Sequence, residues 1–231
     1  MSFTVIDDVI RIVDDDIFES DDTVIIESHI NVIVNGRHTA DLHCSPDSLD
    51  ALVVGHLLTN RMICSKDHVA SLVINEEENQ ALVRLVPHAY HLITHNNDYI
   101  CDLADVRAVA EKFIPGSENF RCTGALHSAA ICQGNQILIY KEDFSRHCAL
   151  DKALGQALLS DICLNNCYVL TSGRVPVDMF EKILAAGVPA LFSRSAPSNT
   201  TVTLARKTNT ILCGFVRSTR MNIYSGADRI R

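Results

Sequence analysis

The sequence predicts an α/β protein, with a three-layer α/β/α sandwich in residues 120–231 and a smaller α+β region in residues 23–95. From residue 121 onward, short apolar runs alternate with amphipathic segments of roughly 8 to 14 residues, which is typical of a sheet covered by helices on both faces. The chain has 231 residues, and 47% of them are hydrophobic, so such a core can be filled. No uncharged apolar run approaches the roughly 20 residues that span a bilayer, so we expect a cytoplasmic protein.

The first region is predicted from its alternation and its turns. Alternating apolar residues from Val24 onward predict two strands joined at Asn35–Gly36, a dipeptide typical of tight hairpins. The stretch Ser45–Asp50 predicts the start of a helix capped by a Ser or Asp side chain. Two further strands are predicted at Val69–Val73 and Ala81–Val86.

Residues 96–119 form a polar crossover segment between the two regions. We predict one helix in it, Leu103–Phe113, which Pro115–Gly116 ends. Cys101 lies in this segment, and we expect its side chain to be exposed and available as a reactive thiolate.

Residues 120–231 predict a β-hairpin followed by three strand–helix repeats. The predicted strands are 125–132, 136–140, 167–171, 188–192, 211–216 and 221–224, and the predicted helices are 147–160, 177–186 and 200–207.

Charge is distributed unevenly along the chain. Residues 1–28 hold nine acidic residues and one Arg, and we expect residues 1–22 to form a loosely ordered acidic arm. Residues 194–231 hold one acidic residue and seven basic ones, in a protein whose net charge is −8. A basic segment on an acidic protein indicates a local anion site rather than a nucleic-acid surface. Arginines scattered over a solvated surface are the alternative.

Four loops follow predicted strands and have similar contents: 142–147, 172–176, 193–198 and 217–220. Each carries Ser or Thr beside Arg, and ligands of such sheets bind at the carboxyl ends of the strands. Helix N-termini and Arg side chains there are typical of a phosphate cradle. The candidate ligands in the loops are Arg146, His147, Ser172, Gly173, Arg174, Arg194, Ser195, Arg217, Ser218, Thr219 and Arg220. Helix capping and surface charge are the alternative interpretation.

Several histidines are further candidates. His127 lies among small residues that suit close approach by a ligand, although an ordinary core histidine fits equally well. His147 and Asp151 are four residues apart on a predicted helix, where they suit either proton transfer or a salt bridge. We disfavour a metal site at His88, His91 and His95, because strand geometry would point His88 and His91 to opposite faces.

Several short segments of the chain form a familiar set of motifs. In the N-terminal region they are Val34–Gly36, Ser45–Pro46 and Gly55–Leu58, and in the C-terminal region Thr123–Ala130, Glu142–Lys152, Ser172–Arg174, Ser195–Pro197, Gly214–Arg217 and Asn222–Ser225. Together these segments resemble the FdhD/NarQ family of formate dehydrogenase accessory proteins. The resemblance covers about residues 24–95 and 120–231, with the motifs in the family's order.

This resemblance implies a sulfurtransferase acting as a persulfide sulfur carrier. Such a carrier takes sulfur from a cysteine desulfurase and passes it to the molybdenum bis(molybdopterin guanine dinucleotide) cofactor, before that cofactor enters formate dehydrogenase. The resemblance also implies a fold like that of cytidine deaminase without its zinc, no metal of the protein's own, and a homodimer. The family's cofactor-contacting stretch falls on Phe215, Val216, Arg217, Ser218, Thr219 and Arg220.

The chain departs from the family at the sulfur-carrying motif. Where the family has Cys-x-x-Cys, this chain has Cys101 at one cysteine position and Ala104, three residues later, at the other. Cys101 is therefore the single catalytic candidate. A lone thiol can hold a persulfide but lacks a resolving partner. The alternative is a non-catalytic chaperone that binds the molybdenum cofactor or a guanine nucleotide. A nucleoside hydrolase of the deaminase fold is disfavoured, since the zinc signature is missing.

Overall fold

The computed structural model describes residues 4–87, 93–113 and 117–231. Its strands are β1 (Thr4–Val13), β2 (Asp16–Ile25), β3 (Ser28–Val34), β4 (Arg37–Cys44), β5 (Val69–Asn75), β6 (Gln80–Leu85), β7 (His127–Gln133), β8 (Gln136–Asp143), β9 (Tyr168–Thr171), β10 (Ala190–Ser193), β11 (Ile211–Gly214) and β12 (Asn222–Ser225). Its helices are α1 (Leu49–Thr59), α2 (Leu103–Phe113), α3 (Glu118–Thr123), α4 (Arg146–Leu159), α5 (Val177–Ala185) and α6 (Asn199–Lys207). None of the helices in these ranges is long and apolar enough to cross a membrane.

A six-stranded sheet dominates the C-terminal region, in the order β12-β11-β10-β9-β7-β8. The central strands β9, β10 and β11 are parallel, as the strand–helix repeats predict. β7 runs antiparallel to both β8 and β9, and β12 runs antiparallel to β11, so the sheet is mixed. The predicted hairpin and repeats are confirmed, with element ends shifted by a few residues.

Both faces of this sheet are covered. Along β7, Ala129 and Ile131 belong to one core and Ala130 and Cys132 to another, as strand alternation requires. The first core is shared with α1, α4, α5 and α6, and the second with α2. The sheet therefore lies between two helical layers.

The four-stranded sheet, in the order β4-β3-β6-β5, shares the first core with the larger sheet. The two regions meet where α1 crosses α4 at two glycines. A Cβ added at Gly55 would collide with the carbonyl oxygen of Asp151, and one at Gly155 with that of Ala51. Glycine at both positions lets the helix backbones touch, which fixes the middle of α4 against α1.

The expectation of a loosely ordered N-terminal arm is wrong. Residues 4–25 form an antiparallel ribbon of two ten-residue strands, β1 and β2, in unbroken register. The sequence is rich in Ile, Val and Thr, and Asp14 adopts the left-handed backbone conformation that tight hairpin turns need. The expectation rested on the many acidic residues of this segment and gave too little weight to its β-branched residues.

The helix predicted after Ser45 is present, but the predicted cap is wrong. Ser48 precedes α1 in a left-handed conformation and its side chain makes no capping hydrogen bond. Its hydroxyl instead accepts a hydrogen bond from the Lys141 ammonium at 2.8 Å. A contact with β8, distant in sequence, therefore replaces the local cap.

Candidate functional site

The four Ser/Arg loops meet at one edge of the six-stranded sheet. They follow β8, β9, β10 and β11, whose carboxyl ends lie at the same edge, and antiparallel β7 brings its first residues there too. A cavity of about 340 Å³ opens at this edge, lined by Phe120, Gly124, Ala125, Leu126, His127, Ser128, Ser172, Arg194, Ser195 and Arg217. The structure thus gathers five of the predicted ligands, from three loops and one strand, into one cavity.

Hydroxyl groups hold the cavity loops together. The backbone N–H of Ser128 donates to the Ser172 hydroxyl at 2.9 Å, and the Ser195 hydroxyl donates to the Ser172 carbonyl at 2.9 Å. The buried Ser193 hydroxyl donates to the Gly173 carbonyl at 2.7 Å. Because each loop is bonded to the next, the cavity wall is fixed before any ligand binds.

Two guanidinium groups face the cavity. Arg217 donates from Nη1 to the Arg194 carbonyl at 2.9 Å and to its neighbour's carbonyl at 2.7 Å, leaving other donors unused. Burial and the nearby Arg217 lower the pKa of Arg194. Among the described residues, the ion pairs involve other cations, so neither arginine is neutralised by a carboxylate.

More positive charge surrounds His127. Burial lowers the pKa of this half-buried imidazole, and Arg146, Arg174 and His147 lower it further. His127 Nδ1 lies 3.3 Å from the Ser172 hydroxyl, so His127 is a cavity residue and not an ordinary core histidine. Arg146, Arg174 and His147 therefore lie close enough to His127 to add positive charge at this edge of the sheet.

Gly173 makes room for the side chain of Arg146. A Cβ added at Gly173 would lie 2.9 Å from the Cβ of Arg146, so the missing side chain makes room for that arginine. The Nε of Arg146 is buried and has no hydrogen-bond partner among the described residues. Arg174, which follows Gly173 in the chain, is exposed.

The predicted pair of His147 and Asp151 does not form. His147 Nε2 lies 3.6 Å from Asp178, at the start of α5. The buried Asp151 instead accepts hydrogen bonds from Lys182 at 2.6 Å and from Thr59 at 3.0 Å. Helical spacing places two residues on one face, but here a neighbouring helix supplies each partner.

The loop after β11 contributes unequally. Val216 is buried and Phe215 is 39% exposed with a left-handed backbone. Ser218 is half-buried, while Thr219 and Arg220 are exposed on the same turn, which the Arg217 N–H closes onto the Arg220 carbonyl at 2.7 Å. Of this family-derived stretch, only Arg217 lines the cavity.

A polar cluster beside the cavity, formed by Tyr140, Glu142 and Ser128, was not identified from the sequence. The Tyr140 hydroxyl donates to Glu142 at 2.9 Å and lies 3.0 Å from the Ser128 hydroxyl. Burial raises the pKa of Tyr140 to about 12. The pairing of β7 with β8 places Glu142 opposite Ser128 and Tyr140 opposite Ala130, so strand alternation was the signal that could have found the group.

The expectation that Cys101 is exposed is wrong. Its side chain is 3% exposed in the core beneath α2, and burial raises its pKa to about 12 although Tyr99 and Arg229 lower it. Its N–H donates to the Arg229 carbonyl at 2.9 Å, and its carbonyl accepts from the Arg231 N–H at 3.0 Å. The C-terminal residues thus pair with the backbone at Cys101, a contact that local polarity did not predict.

No cluster of metal-ligating side chains occurs in the ranges that the structure describes. His88 and His91 lie outside those ranges. All nine cysteines are free thiols.

The chain matches the family model for the FdhD/NarQ family over residues 25–97 and 88–231. It is 28% identical over 251 residues to the sulfur carrier protein FdhD of Staphylococcus haemolyticus, covering 96% of this chain and 95% of that protein. A homologue of the same name from Staphylococcus aureus is 28% identical over 250 residues, covering 96% of this chain and 94% of the homologue.

The fold also matches a solved structure. A crystal structure from Desulfotalea psychrophila, assigned as a formate dehydrogenase accessory protein, superposes with a TM-score of 0.88 over 100% of both chains at 24% identity. With the family model covering nearly the whole of the sequence from residue 25 onward, the chain belongs to the FdhD/NarQ family.

Proposed function

We propose that the protein is an accessory protein for formate dehydrogenase and that its cavity binds the molybdenum bis(molybdopterin guanine dinucleotide) cofactor as cargo. One observation carries this proposal: Arg194 and Arg217 face a cavity that also holds His127, and no described carboxylate neutralises the two arginines. A ligand with pyrophosphate groups would supply the missing negative charge. The description of the structural relative from Desulfotalea psychrophila as a formate dehydrogenase accessory protein supports formate dehydrogenase as the destination.

Titration calorimetry with GDP tests the proposal, since GDP carries the pyrophosphate and guanine of the cargo. A charge-assisted hydrogen bond contributes roughly 1.5–3 kcal/mol, so Arg217→Ala is expected to weaken GDP binding by about 10- to 100-fold. ADP is expected to bind more weakly than GDP, because the base edge must supply the discrimination.

Arg107→Ala is the matched control, because Arg107 is exposed on α2 and is not part of the cavity lining. The control is expected to bind GDP like the wild-type protein. Equal affinity for GDP and ADP would reduce the site to a general phosphate site. Absence of binding by either nucleotide would refute the proposal.

Sulfur transfer through Cys101 is the second candidate, favoured by the name shared by the relatives. In this reaction the Cys101 thiolate would take the terminal sulfur of a cysteine desulfurase persulfide, leaving the desulfurase as a thiolate. A thiol that is 3% exposed with a pKa of about 12 reacts only after the core around it opens to the desulfurase persulfide.

Mass spectrometry after incubation with a cysteine desulfurase and cysteine separates the two candidates. A carrier gains the mass of one sulfur atom and loses that gain in Cys101→Ala. A cofactor chaperone gains none on any thiol. The deaminase-like architecture, the homodimer and the cytoplasmic location stay predictions beside this proposal.

A further inference from the structure

Arg146, at the start of α4, carries a partly buried guanidinium without a partner. Its aliphatic chain lies over Gly173, whose missing side chain leaves room for it. Among the residues that the structure describes, its buried Nε has no hydrogen-bond partner and no carboxylate forms an ion pair with it. Buried polar groups in folded proteins are nearly always hydrogen-bonded, because an unmade hydrogen bond costs stability. The free donors of Arg146 therefore indicate that a ligand supplies the acceptor.

Three other cationic or titratable side chains lie beside Arg146. Burial lowers the pKa of His127, and Arg146, Arg174 and His147 lower it further, so all three lie near its imidazole. Arg174 is exposed, and it too forms no ion pair within the described part of the chain. The Asp178 carboxylate lies 3.6 Å from His147 Nε2, and it leaves both arginines uncompensated. We call Arg146, Arg174, His127 and His147 the Arg146 cluster.

The Arg146 cluster is separate from the two arginines of the cavity. Arg194 and Arg217 are not among the groups that lower the pKa of His127. Of the cluster, only His127 lines the cavity. Ser172 stands between the two sets of cations, since its hydroxyl lies 3.3 Å from His127 Nδ1 and its carbonyl accepts from the Ser195 hydroxyl at 2.9 Å. The sheet edge that was predicted as one phosphate cradle thus carries two groups of cations, with His127 at their boundary.

We propose that the Arg146 cluster is a second anion subsite, which binds a phosphate group or another dianionic oxyanion beside the cavity. Guanidinium groups suit such a ligand, because each can donate two parallel hydrogen bonds to neighbouring oxygens. The N-terminus of the 14-residue helix α4 adds positive charge at the same place. The subsite is defined by its own cations, so it stands whether or not the cavity binds the molybdenum cofactor. A further nucleotide phosphate and a free oxyanion share this chemistry, and competition with GDP distinguishes them.

Nuclear magnetic resonance of the histidine side chains measures binding at this subsite. Inorganic phosphate is titrated into the full-length protein, with and without saturating GDP, at pH 7 and at an ionic strength held constant with NaCl. The imidazole signals of His127 and His147 are expected to move together with one Kd. The signal of His38, which is exposed on β4, is expected to stay in place. Absence of a saturable shift, or an equal shift at His38, would overturn the proposal.

Two variants assign the binding to the arginines. Arg146→Met keeps an aliphatic chain over Gly173 and is expected to raise the phosphate Kd by about 10-fold or more. Arg174→Met changes an exposed position, so it leaves the core intact, and it is expected to raise that Kd by about 5-fold. Arg107→Met, on the exposed side of α2, is the matched control and is expected to bind phosphate like the wild type. Unchanged phosphate binding in both cluster variants would overturn the proposal.

Thermal melting separates ligand binding from a purely structural role of Arg146. Phosphate is expected to raise the Tm of the wild-type protein and not that of Arg146→Met, because only the former binds it. In phosphate-free buffer the variant is expected to melt at or above the wild-type Tm, since it removes a partly buried charge that has no partner. Equal stabilisation of both proteins by phosphate would contradict the subsite.

Competition with GDP identifies the occupant and separates this proposal from the one for the cavity. One equivalent of GDP is expected to leave phosphate bound to the Arg146 cluster, and displacement by that equivalent would overturn a second subsite. Displacement only by a second, weaker equivalent identifies a nucleotide phosphate as the occupant, whereas phosphate that GDP never displaces identifies a free oxyanion. A protein that binds no GDP but binds phosphate through Arg146 would refute the cavity proposal alone.

Discussion

The buried ion pair beneath the cavity loops offers a quantitative test of the fold. Lys152 in α4 and Asp143 at the end of β8 are both fully buried, with Nζ 2.8 Å from the carboxylate. Burial alone would lower the pKa of Lys152, but Asp143 and Asp47 outweigh it and raise that pKa. Lys152 also donates to the Ser45 carbonyl at 3.1 Å, so one ammonium joins the turn before α1 to the sheet edge.

Lys152→Met removes the charge while keeping most of the length, and it leaves the Asp143 carboxylate buried without its cation. Breaking one side of a buried pair costs about 3–5 kcal/mol. Asp143 keeps hydrogen bonds from the Ser45 N–H at 2.9 Å and the Ser145 N–H at 2.8 Å, so we expect the lower end of that range. For a chain of this length, that loss lowers Tm by about 6–12 °C in differential scanning calorimetry.

The stability lost in Lys152→Met is expected to depend on pH. A carboxyl group left buried without its cation has a raised pKa in the folded protein, so it stabilises when protonated, below its unfolded pKa, and loses that contribution as pH rises. The deficit of Lys152→Met is therefore expected to shrink between pH 7 and pH 5, and adding Asp143→Asn is expected to recover part of it at pH 7. A variant as stable as the wild type, or a double variant without recovery, would refute this reasoning.

Three further predictions concern helix packing, proton linkage and thiol reactivity. Gly55→Ala places a Cβ against the Asp151 carbonyl and is expected to lower the free energy of unfolding by about 1–3 kcal/mol in urea, whereas unchanged stability would contradict the helix contact. A bound phosphate is expected to raise the depressed pKa of His127, so GDP binds more tightly as pH falls from 8 to 6 with proton uptake, and His127→Gln abolishes that uptake in calorimetry across buffers. Iodoacetamide is expected to label exposed Cys122 in the native protein and Cys101 only after denaturation, and equal rates would contradict the burial of Cys101.

Local patterns predicted the elements of the C-terminal region well. The predicted strands and helices there are separated by turn residues, so their predicted ends differ from the observed ones by a few residues, whereas α3, which buries no residue, was not predicted. The four Ser/Arg loops could also be assigned to one edge of the sheet, because the direction of the strands decides at which edge each loop lies. Arg194 and Arg217 were found in this way.

Contacts between distant parts of the chain account for the errors. The Cys101 backbone pairs with residues 229–231, more than one hundred positions later, and Ser48 binds Lys141 instead of capping its helix. His147 and Asp151 have the spacing of a pair, but α5 and α1 provide their actual partners. Residue type and local spacing do not reveal which residues from distant parts of the chain will contact a given side chain in the fold.

A crystal structure of the protein with GDP is the most direct test of the proposed cargo site. The cavity account predicts that the pyrophosphate accepts hydrogen bonds from the Arg194 and Arg217 guanidiniums, near the His127 imidazole, in the cavity lined by the β9 and β10 loops. A nucleotide bound elsewhere on the protein, or a cavity that stays empty at nucleotide concentrations that saturate the protein in solution, would contradict it.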